Sequence, residues 1–436
     1  MIRTATACLL ALATLAAAAQ NQQFSGDWIV TANLFDTPIY ARFTIDQQGN
    51  KLTGNFNGDK LEGTVSGNQI HFVSKDNEGG SDTVQATLQN GTLTGDYTEV
   101  DAGNPTRPEH HTFTAVLAVP LQHTTPQRHD FTPTVFYRQF SPFYKPVLTV
   151  NPGDTIHTTT VDAGGTDEKG VRRVLGGNPE TGPFYIQGAQ PGDTLVVHLV
   201  HLKLNRDYAI SDDNLVSRVL GPGLAVKMKD TGKTIRWHLD ITKGLASPES
   251  PGEHMRSFAI PVRPMLGCVA TATGPANAPP GTGDSGGYGG NMDFNEIGEG
   301  ATIYLPVSNP GALLYVGDGH ALQGDGELNG NALETSMDIE FTVDVLSGKR
   351  IGGRRIETQT DLIAMGLAGS LDDAIKEATG NMANWLEQDY KLTPTEIAQF
   401  LGVASEYHIS EVADRNAGIV LKIAKSKLST LTPGAK

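Results

Sequence analysis

The densest group of side chains able to do acid–base or metal chemistry lies between residues 290 and 338. Asp318 and His320 are two positions apart, so on an extended strand both point to the same side. The other acids of this segment are Asp293, Asp325, Glu327 and Glu334. One imidazole among several carboxylates suits a divalent metal, with Zn²⁺ preferred if the histidine binds. A carboxylate outside the ligand set could then act as a general base toward water.

The same segment also has a purely structural interpretation. It is rich in Gly, Asp and Asn, which are the residues of tight turns, and it contains neither an HExxH nor a CxxC motif. From local spacing alone, a metal centre and a series of polar turns both remain open.

Two side chains outside the acidic positions are candidate nucleophiles. Ser285 is the centre of Gly-Asp-Ser-Gly-Gly at 283–287, the pentad around the nucleophile of trypsin-like proteases. Such a serine needs a histidine base, and no upstream histidine is followed by the cysteine usual in those proteases. Cys268 lies in an apolar run with no nearby cation, which is typical of an inert buried thiol. We predict that neither residue is the nucleophile.

The ends and the charge of the chain indicate where it works and what it binds. Residues 1–19 combine Arg3, an apolar run and a final Ala-Ala-Ala, which predicts a signal peptide and an exported, periplasmic or extracellular protein. No later stretch approaches the ~20 apolar residues of a membrane span, so we expect no membrane insertion. A net charge of −15 without basic clusters argues against nucleic acid and favours a small-molecule substrate.

Composition and turn signals predict a mainly β protein. The chain has 50 Gly and 24 Pro between short runs rich in Val, Ile, Thr, Tyr and Phe. Residues 20–120 alternate short strands with Asn-Gly turns, which predicts a β-meander or small barrel that resembles the lipocalin-like domains of exported bacterial proteins. Residues 121–138 read as a linker.

The predicted catalytic domain, residues 139–436, combines a β-sandwich with helices. Pro-Gly-Asp-Thr occurs at 152–155 and again at 191–194, and we interpret each copy as the turn that starts one sheet of the sandwich. Helical periodicity and N-terminal capping signals at Ser370 and Thr393 predict a helical hairpin over 370–405, packed on the sandwich.

The central motifs resemble those of the acetamidase/formamidase family. The stretch GGNMDFNEIGEGATIYLPVSNPGALLYVGDGHALQGDGE, followed by a later Glu in NALET, is similar to the family pattern of GGNxD, LPV and GALxxxGDxHAxQGDGE. Earlier segments match as well, namely PVLTVNPGDTI, TVDAGG, NPETGP and RPMLG. The resemblance runs from about Val147 to Ile423 and leaves the N-terminal β domain outside.

The resemblance implies hydrolysis of small linear carboxamides, of the formamide and acetamide class, to a carboxylate and ammonia by metal-activated water. On the matching positions we assign metal ligands to Asp162, Asp293, Asp318 and His320, catalytic roles to Glu327 as the base and to Glu334, and substrate binding to Gly290, Asn291 and Asp325. The expected cofactor is a divalent metal, Zn²⁺ first, with Ca²⁺ or Mg²⁺ as alternatives. A homo-oligomer is compatible with the sequence.

Two departures from the family pattern keep a second hypothesis open. Asn178 stands where the family commonly has a histidine ahead of the TGP motif, and the Gly-rich loop 274–289 is extended. With the additional N-terminal domain, these departures allow a non-catalytic exported binding or scaffold protein on an amidase fold. The gathered carboxylates argue against it, because burying charge is costly unless a metal or ligand compensates.

Overall fold

A computed structural model describes residues 23–122, 124–228 and 231–431. The predicted signal peptide at 1–19 lies outside the described residues. The chain divides into two compact units: the first holds the sequence up to Pro120 together with residues 190–192 and 274–277, and the second holds the remainder from Leu121 onward. Each unit has its own hydrophobic core.

The first unit is a closed barrel in which each strand pairs with the next along the chain and the last pairs with the first. Its strands are β1 (Gly26–Leu34), β2 (Thr37–Gln48), β3 (Lys51–Phe56), β4 (Asp59–Ser66), β5 (Gln69–Lys75), β6 (Ser81–Gln89), β7 (Thr92–Val100) and β8 (Glu109–Leu117). Asn57 and Asn90 each precede a glycine and have φ of 52°, as hairpin turns with both central residues at positive φ require. The predicted meander is therefore a barrel.

The interior of the barrel is filled by aromatic side chains. The ring of Phe43 lies 5.6 Å from Phe72, 6.1 Å from Phe56, 6.3 Å from Trp28 and 6.4 Å from Phe113, measured between centroids. All five side chains are buried. The barrel thus has a packed aromatic core.

The second unit contains the remaining elements. Its strands are β9 (Arg128–Asp130), β10 (Leu148–Val150), β11 (Thr155–Thr159), β12 (Thr181–Ile186), β13 (Thr194–Leu204), β14 (Tyr208–Asp212), β15 (Thr234–Asp240), β16 (Leu245–Pro248), β17 (Ile260–Pro261), β18 (Met265–Thr271), β19 (Ser285–Gly286), β20 (Gly289–Asn291), β21 (Thr302–Pro306), β22 (Leu314–His320), β23 (Met337–Leu346), β24 (Arg355–Glu357), β25 (Asp361–Ala368), β26 (Glu406–Ile409) and β27 (Ala417–Ala424). Its α-helices are α1 (Pro222–Ala225), α2 (Leu371–Tyr390), α3 (Pro394–Ala404) and α4 (Lys425–Leu428), and short 3-10 turns occupy Ser217–Val219, Val226–Met228 and Glu253–Met255.

Two sheets of this unit form the predicted sandwich. The six-stranded sheet has the order β10-β12-β22-β18-β20-β19, and the nine-stranded sheet has the order β26-β27-β25-β24-β21-β13-β23-β11-β9. Phe184 of the first sheet meets Phe341 of the second edge-on, with ring centroids 5.7 Å apart, inside one buried apolar cluster. A smaller sheet, β14-β15-β16-β17, completes the unit.

The interpretation of the Pro-Gly-Asp-Thr repeat was wrong in one respect. The two strands that follow the repeats, β11 and β13, both belong to the nine-stranded sheet, where β23 separates them. The repeat therefore marks equivalent turns at the starts of two strands of one sheet. A local turn motif specifies how a strand begins, but the sheet that the strand joins is decided by long-range packing.

The helical hairpin is present as predicted. The Ser370 side chain accepts a hydrogen bond from the Asp373 N–H at the start of α2, and Thr393 and Glu396 form a complete capping box at the start of α3. Ala378, Met382 and Leu386 of α2 are buried against strands β25 and β27. Among the described residues, no helix has the length and apolar character that a membrane span requires.

We predict that Phe43→Ala lowers the free energy of unfolding of the barrel by about 3–5 kcal/mol, because it leaves a cavity among four aromatic rings. Urea denaturation followed by Trp28 fluorescence, with Trp237 and Trp385 replaced by Phe, measures the change. Phe35→Ala is the matched control, since that ring is 93% exposed and its loss should change the midpoint little. Equal shifts for both variants would contradict a core centred on Phe43.

Candidate metal centre and active site

Strand β22 brings Asp318 and His320 into one buried site. The strand lies between β12 and β18 in the six-stranded sheet, and all seven of its residues are buried. The Nε2 atom of His320 lies 3.3 Å from Asp318 Oδ2. The two side chains therefore point to the same side, as their spacing predicts.

Three other acids predicted from the sequence converge on the same imidazole. Glu334 Oε1 lies 3.3 Å and Asp293 Oδ1 lies 3.9 Å from His320 Nε2. Donor atoms of Asp293, Asp318 and His320 lie within 4.8 Å of one another, and the same holds for His320, Glu327 and Glu334. We call these five buried residues the His320 cluster.

Gln323 sets the orientation of the imidazole. Its Nε2 donates to the carbonyl oxygens of Asp293, at 2.5 Å, and Ser410, at 3.2 Å, so its Oε1 must face His320. That Oε1 lies 2.9 Å from His320 Nδ1 and can only accept, which places a proton on Nδ1. In the neutral ring, the lone pair of Nε2 then points at the carboxylates.

The cluster holds more negative charge than its own groups can neutralise. Burial and the neighbouring carboxylates of Glu327 and Asp318 raise the pKa of Asp293 well above its usual range. Burial also raises the pKa of Glu334 to about 7 and that of Glu327 well above its ordinary value, partly offset in both by His320. Burial disfavours the imidazolium, but Glu334 and Asp318 outweigh it and raise the pKa of His320. Protons or a cation must supply the missing positive charge.

Several ligand-type atoms of the cluster make no hydrogen bond to any described residue. They are Asp293 Oδ1, Asp318 Oδ1, His320 Nε2 and Glu334 Oε2, all with negligible solvent exposure. Buried polar atoms are normally satisfied, so four orphaned acceptors in one place indicate that a bound group completes the site. Carboxylate oxygens with one imidazole nitrogen form a donor set that fits a divalent cation.

Two glycines provide the space that the carboxylates occupy. A Cβ at Gly267 on β18 would lie 2.4 Å from Asp318 Oδ2 and 2.5 Å from Asp293 Oδ1. A Cβ at Gly317 on β22 would lie 2.2 Å from an oxygen of Glu180. Any larger residue at these positions would displace the acids of the site.

The backbone around the cluster is strained. Asp293, Asp318 and Glu327 have φ of 40°, 52° and 44°, and Asn178 has φ of 51°. The left-handed conformation costs a residue with a Cβ roughly 1–2 kcal/mol. Such conformations persist only where the surrounding structure imposes them, and they concentrate at functional sites.

Asn178 and Asn291 connect the cluster to its surroundings. Asn178 Nδ2 donates to Asn291 Oδ1 at 3.0 Å and to Asp318 Oδ2 at 3.3 Å. Asn291 Nδ2 donates to Asp293 Oδ2 and Asp414 Oδ2, both at 2.6 Å. The asparagine that departs from the family pattern is therefore a hydrogen-bond donor inside the site.

Asp162, Gly290 and Asp325 lie outside the cluster. Asp162 Oδ2 makes a buried ion pair with Arg206 at 2.7 Å, and the same guanidinium nitrogen donates to the Glu334 carbonyl at 3.2 Å. Asp162 thus holds the segment that carries Glu334. The backbone of Gly290 pairs with Val269 and Ser285.

Asp325 has a half-exposed carboxylate with two partners of its own. It accepts from Asn295 Nδ2 at 2.7 Å and lies 3.1 Å from His408 Nδ1. Asp325 lines a cleft beside the His320 cluster and lies apart from the unbonded ligand atoms of that cluster.

Sequence reasoning missed three acids that surround the cluster. Glu180 is fully buried with both carboxylate oxygens unbonded among the described residues, and burial followed by Asp318 raises its pKa well above its usual value. Burial and Asp414 raise the pKa of Glu411 to about 8, and burial raises that of Asp414. Glu180 could have been identified from the sequence, because it lies in the matched NPETGP segment. Glu411 and Asp414 lie far along the chain and offered no such signal.

Neither candidate nucleophile is activated. Ser285 Oγ is buried without a hydrogen-bond partner among the described residues, so no histidine base reaches it. Cys268 is buried beside Glu180, and burial with the nearby carboxylates of Glu180 and Asp318 raises the pKa of its thiol well above the usual value. A thiol held protonated is a poor nucleophile, as predicted.

Comparisons with known proteins find similarity to acetamidases and formamidases. A model of the "Acetamidase/Formamidase family" matches residues 278–360. This segment contains all five residues of the His320 cluster, with Asp293 near its start. An acetamidase of Mycolicibacterium smegmatis is 43% identical over 61 residues, which are 14% of this chain and 15% of the relative. The alignments to the two curated relatives span only 14% and 15% of their lengths.

Solved structures extend the likeness over most of the chain. A predicted acetamidase/formamidase from Thermoanaerobacter tengcongensis has a TM-score of 0.60 and 27% identity, covering 70% of this chain and 99% of that one. An acetamidase from Bacillus halodurans has a TM-score of 0.60 and 26% identity, covering 70% of this chain and 100% of that one. The chain therefore resembles the acetamidase/formamidase family in part of its sequence and in its fold, and an eight-stranded barrel forms its N-terminal unit.

Proposed function

We propose that the protein hydrolyses carboxamides to a carboxylate and ammonia at the His320 cluster, with the help of a divalent cation. The observation that carries the proposal is the orphaned Nε2 of His320, which Gln323 directs toward three carboxylates. The names of the relatives, acetamidase and acetamidase/formamidase, support amide hydrolysis as the reaction.

The residues that would hold the cation are Asp293, Asp318 and His320, with Glu334 contributing its unbonded oxygen. We propose Zn²⁺ because an imidazole belongs to the set, and Mg²⁺ or Ca²⁺ as the alternatives that carboxylates allow. When bound, such an ion polarises the amide carbonyl and lowers the pKa of water. Asp162 would act through Arg206, as a support of the Glu334 segment.

Glu327 is the residue best placed to move the proton. Its Oε1 accepts from the Ala332 N–H at 3.0 Å, which fixes the carboxylate and leaves Oε2 to accept a proton from the attacking water. The amide nitrogen must gain a proton to leave as ammonia, and a carboxyl group with a raised pKa holds a proton for that transfer more readily than an ordinary carboxylic acid.

A non-catalytic binding or scaffold protein remains the alternative to hydrolysis. It would also need a cation to compensate the buried acids, so cation binding alone does not separate the two functions. Measured hydrolysis of an amide separates them.

Export through the segment 1–19 is a further proposal, which N-terminal sequencing of the mature protein checks.

Metal removal provides the first test. We expect the mature protein to release ammonia from at least one of formamide, acetamide and propionamide, to stop after dialysis against a chelator, and to resume when Zn²⁺ is added back. Mock dialysis without chelator is the control. Release that survives complete metal removal would overturn the metal part of the proposal, and no release from any amide would favour the binding-protein alternative.

Glu327→Gln separates the base from a ligand. The amide side chain keeps an acceptor for the Ala332 N–H but cannot take a proton, so we expect turnover to fall by about 10²–10⁴-fold. Metal content, measured by elemental analysis, should stay at the wild-type value. Glu62→Gln, at an exposed barrel position, is the matched control. Loss of the metal in the Glu327 variant would make this residue a ligand.

Substitutions at Asn178 test whether its side chain positions Asp318. Asn178→Gly tolerates the left-handed backbone but removes the amide, and we expect kcat to fall about 10–100-fold, as for other residues that orient metal ligands. Asn178→Ala should lose the same activity and in addition roughly 1 kcal/mol of folding stability from strain. Kinetics and thermal unfolding measure both. Wild-type kcat in the Gly variant would assign Asn178 a purely structural role.

A further inference from the structure

A mostly apolar cleft opens beside the His320 cluster. Its volume is about 290 Å³. Trp237, Phe258, Leu328 and Leu333 contribute its apolar wall, while Gln323 and Glu327 lie in the same lining. Trp237 belongs to β15, so the small sheet of the second unit forms part of this wall.

The cleft borders the proposed reaction centre and shares two side chains with it. Gln323 orients the imidazole of His320, and Glu327 places a carboxylate oxygen within 4.8 Å of ligand atoms of His320 and Glu334. A molecule whose amide group reacts at the cluster would therefore have its neighbouring atoms in or near the cleft.

The wall is built to contact hydrocarbon. The Trp237 and Phe258 rings meet edge-on, with centroids 6.2 Å apart and an interplanar angle of 74°. Trp237 Nε1 donates to Ser211 Oγ at 2.9 Å, so the polar group of the indole is already satisfied. Phe258 and Leu328 are 40% and 45% exposed, so part of the apolar wall is accessible to a ligand.

The size of the cleft exceeds what the smallest amides need. A volume of about 290 Å³ is close to the lower end of the roughly 300–1,000 Å³ range of small-molecule pockets, and about ten times the ~30 Å³ that one water occupies in the liquid. A formyl or acetyl group would leave most of the apolar wall uncovered. Because the proposed reaction releases ammonia, the nitrogen carries no substituent, and the acyl chain is the only part of the substrate that could fill the space.

We propose that this cleft binds the acyl chain of the substrate, and that the preferred substrates are primary amides of bulky apolar acids, such as arylacetamides. The inference rests on the proposed function, since it names the substrate class for the same site.

Substrate comparison tests the inference. We expect kcat/KM for phenylacetamide to exceed that for acetamide by at least about tenfold, the lower end of what hydrophobic pocket contacts supply. Phe258→Ala, which removes wall, and Leu328→Trp, which fills the cleft, should each lower this ratio about tenfold. Phe143→Ala is the matched control, because Phe143 is 65% exposed and lies outside the cleft lining, and it should keep the wild-type ratio.

Calorimetric binding of phenylacetamide distinguishes failure of the inference from failure of the proposed function. Acetamide hydrolysed as well as phenylacetamide, or a ratio unchanged by Leu328→Trp, overturns the cleft assignment and leaves the amidase in place. Binding that Leu328→Trp abolishes, without hydrolysis of any amide, upholds the cleft and overturns the amidase. Absence of both binding and hydrolysis overturns both.

Discussion

The site depends on one imidazole whose direction is fixed from behind. Gln323 is held by two backbone carbonyls, so it can offer His320 only an acceptor, and the Nε2 of the ring must face the acids. Without that constraint the ring could turn away and relieve the crowding. With it, the carboxylates of Asp318, Glu334 and Asp293 share a small buried volume with a nitrogen of fixed direction. The chemistry of the site follows from this fixed imidazole nitrogen beside crowded carboxylates.

The rest of the unit is arranged so that the crowding is tolerated. Gly267 and Gly317 remove the Cβ atoms that would overlap the carboxylates. Strands β18 and β22 pair antiparallel directly beneath the site, which gives the acids a rigid base. Asn178 and Asn291 donate into the cluster without adding charge. Strain in the backbone and desolvated acids are both unfavourable for folding, so the large apolar core of the sandwich must offset them.

Local patterns were enough to predict most elements and part of the site. Asn-Gly turns and alternating strands predicted the barrel, and capping residues predicted both helices of the hairpin. The spacing of Asp318 and His320 predicted their shared direction. Patterns of this kind act over a few residues. The partner of Asp162 was not predictable in this way, because Arg206 reaches it only after the chain has crossed β12 and β13.

The same limit explains the acids that were missed. Glu180, Glu411 and Asp414 reach the cluster from separate parts of the chain, and no local motif links them to Asp318. Helical spacing alone does not decide burial either: Ile375 on α2 is spaced with the buried Ala378 and Met382, yet it is 40% exposed.

Closure of the N-terminal barrel leaves its described strands without a free edge. Because β1 pairs with β8, every strand described between Gly26 and Leu117 has neighbours on both sides, and none of them is left as an edge to recruit a strand from another molecule. Its packed aromatic interior likewise needs nothing from outside. The described strands of the barrel therefore protect one another from pairing with strands of neighbouring molecules.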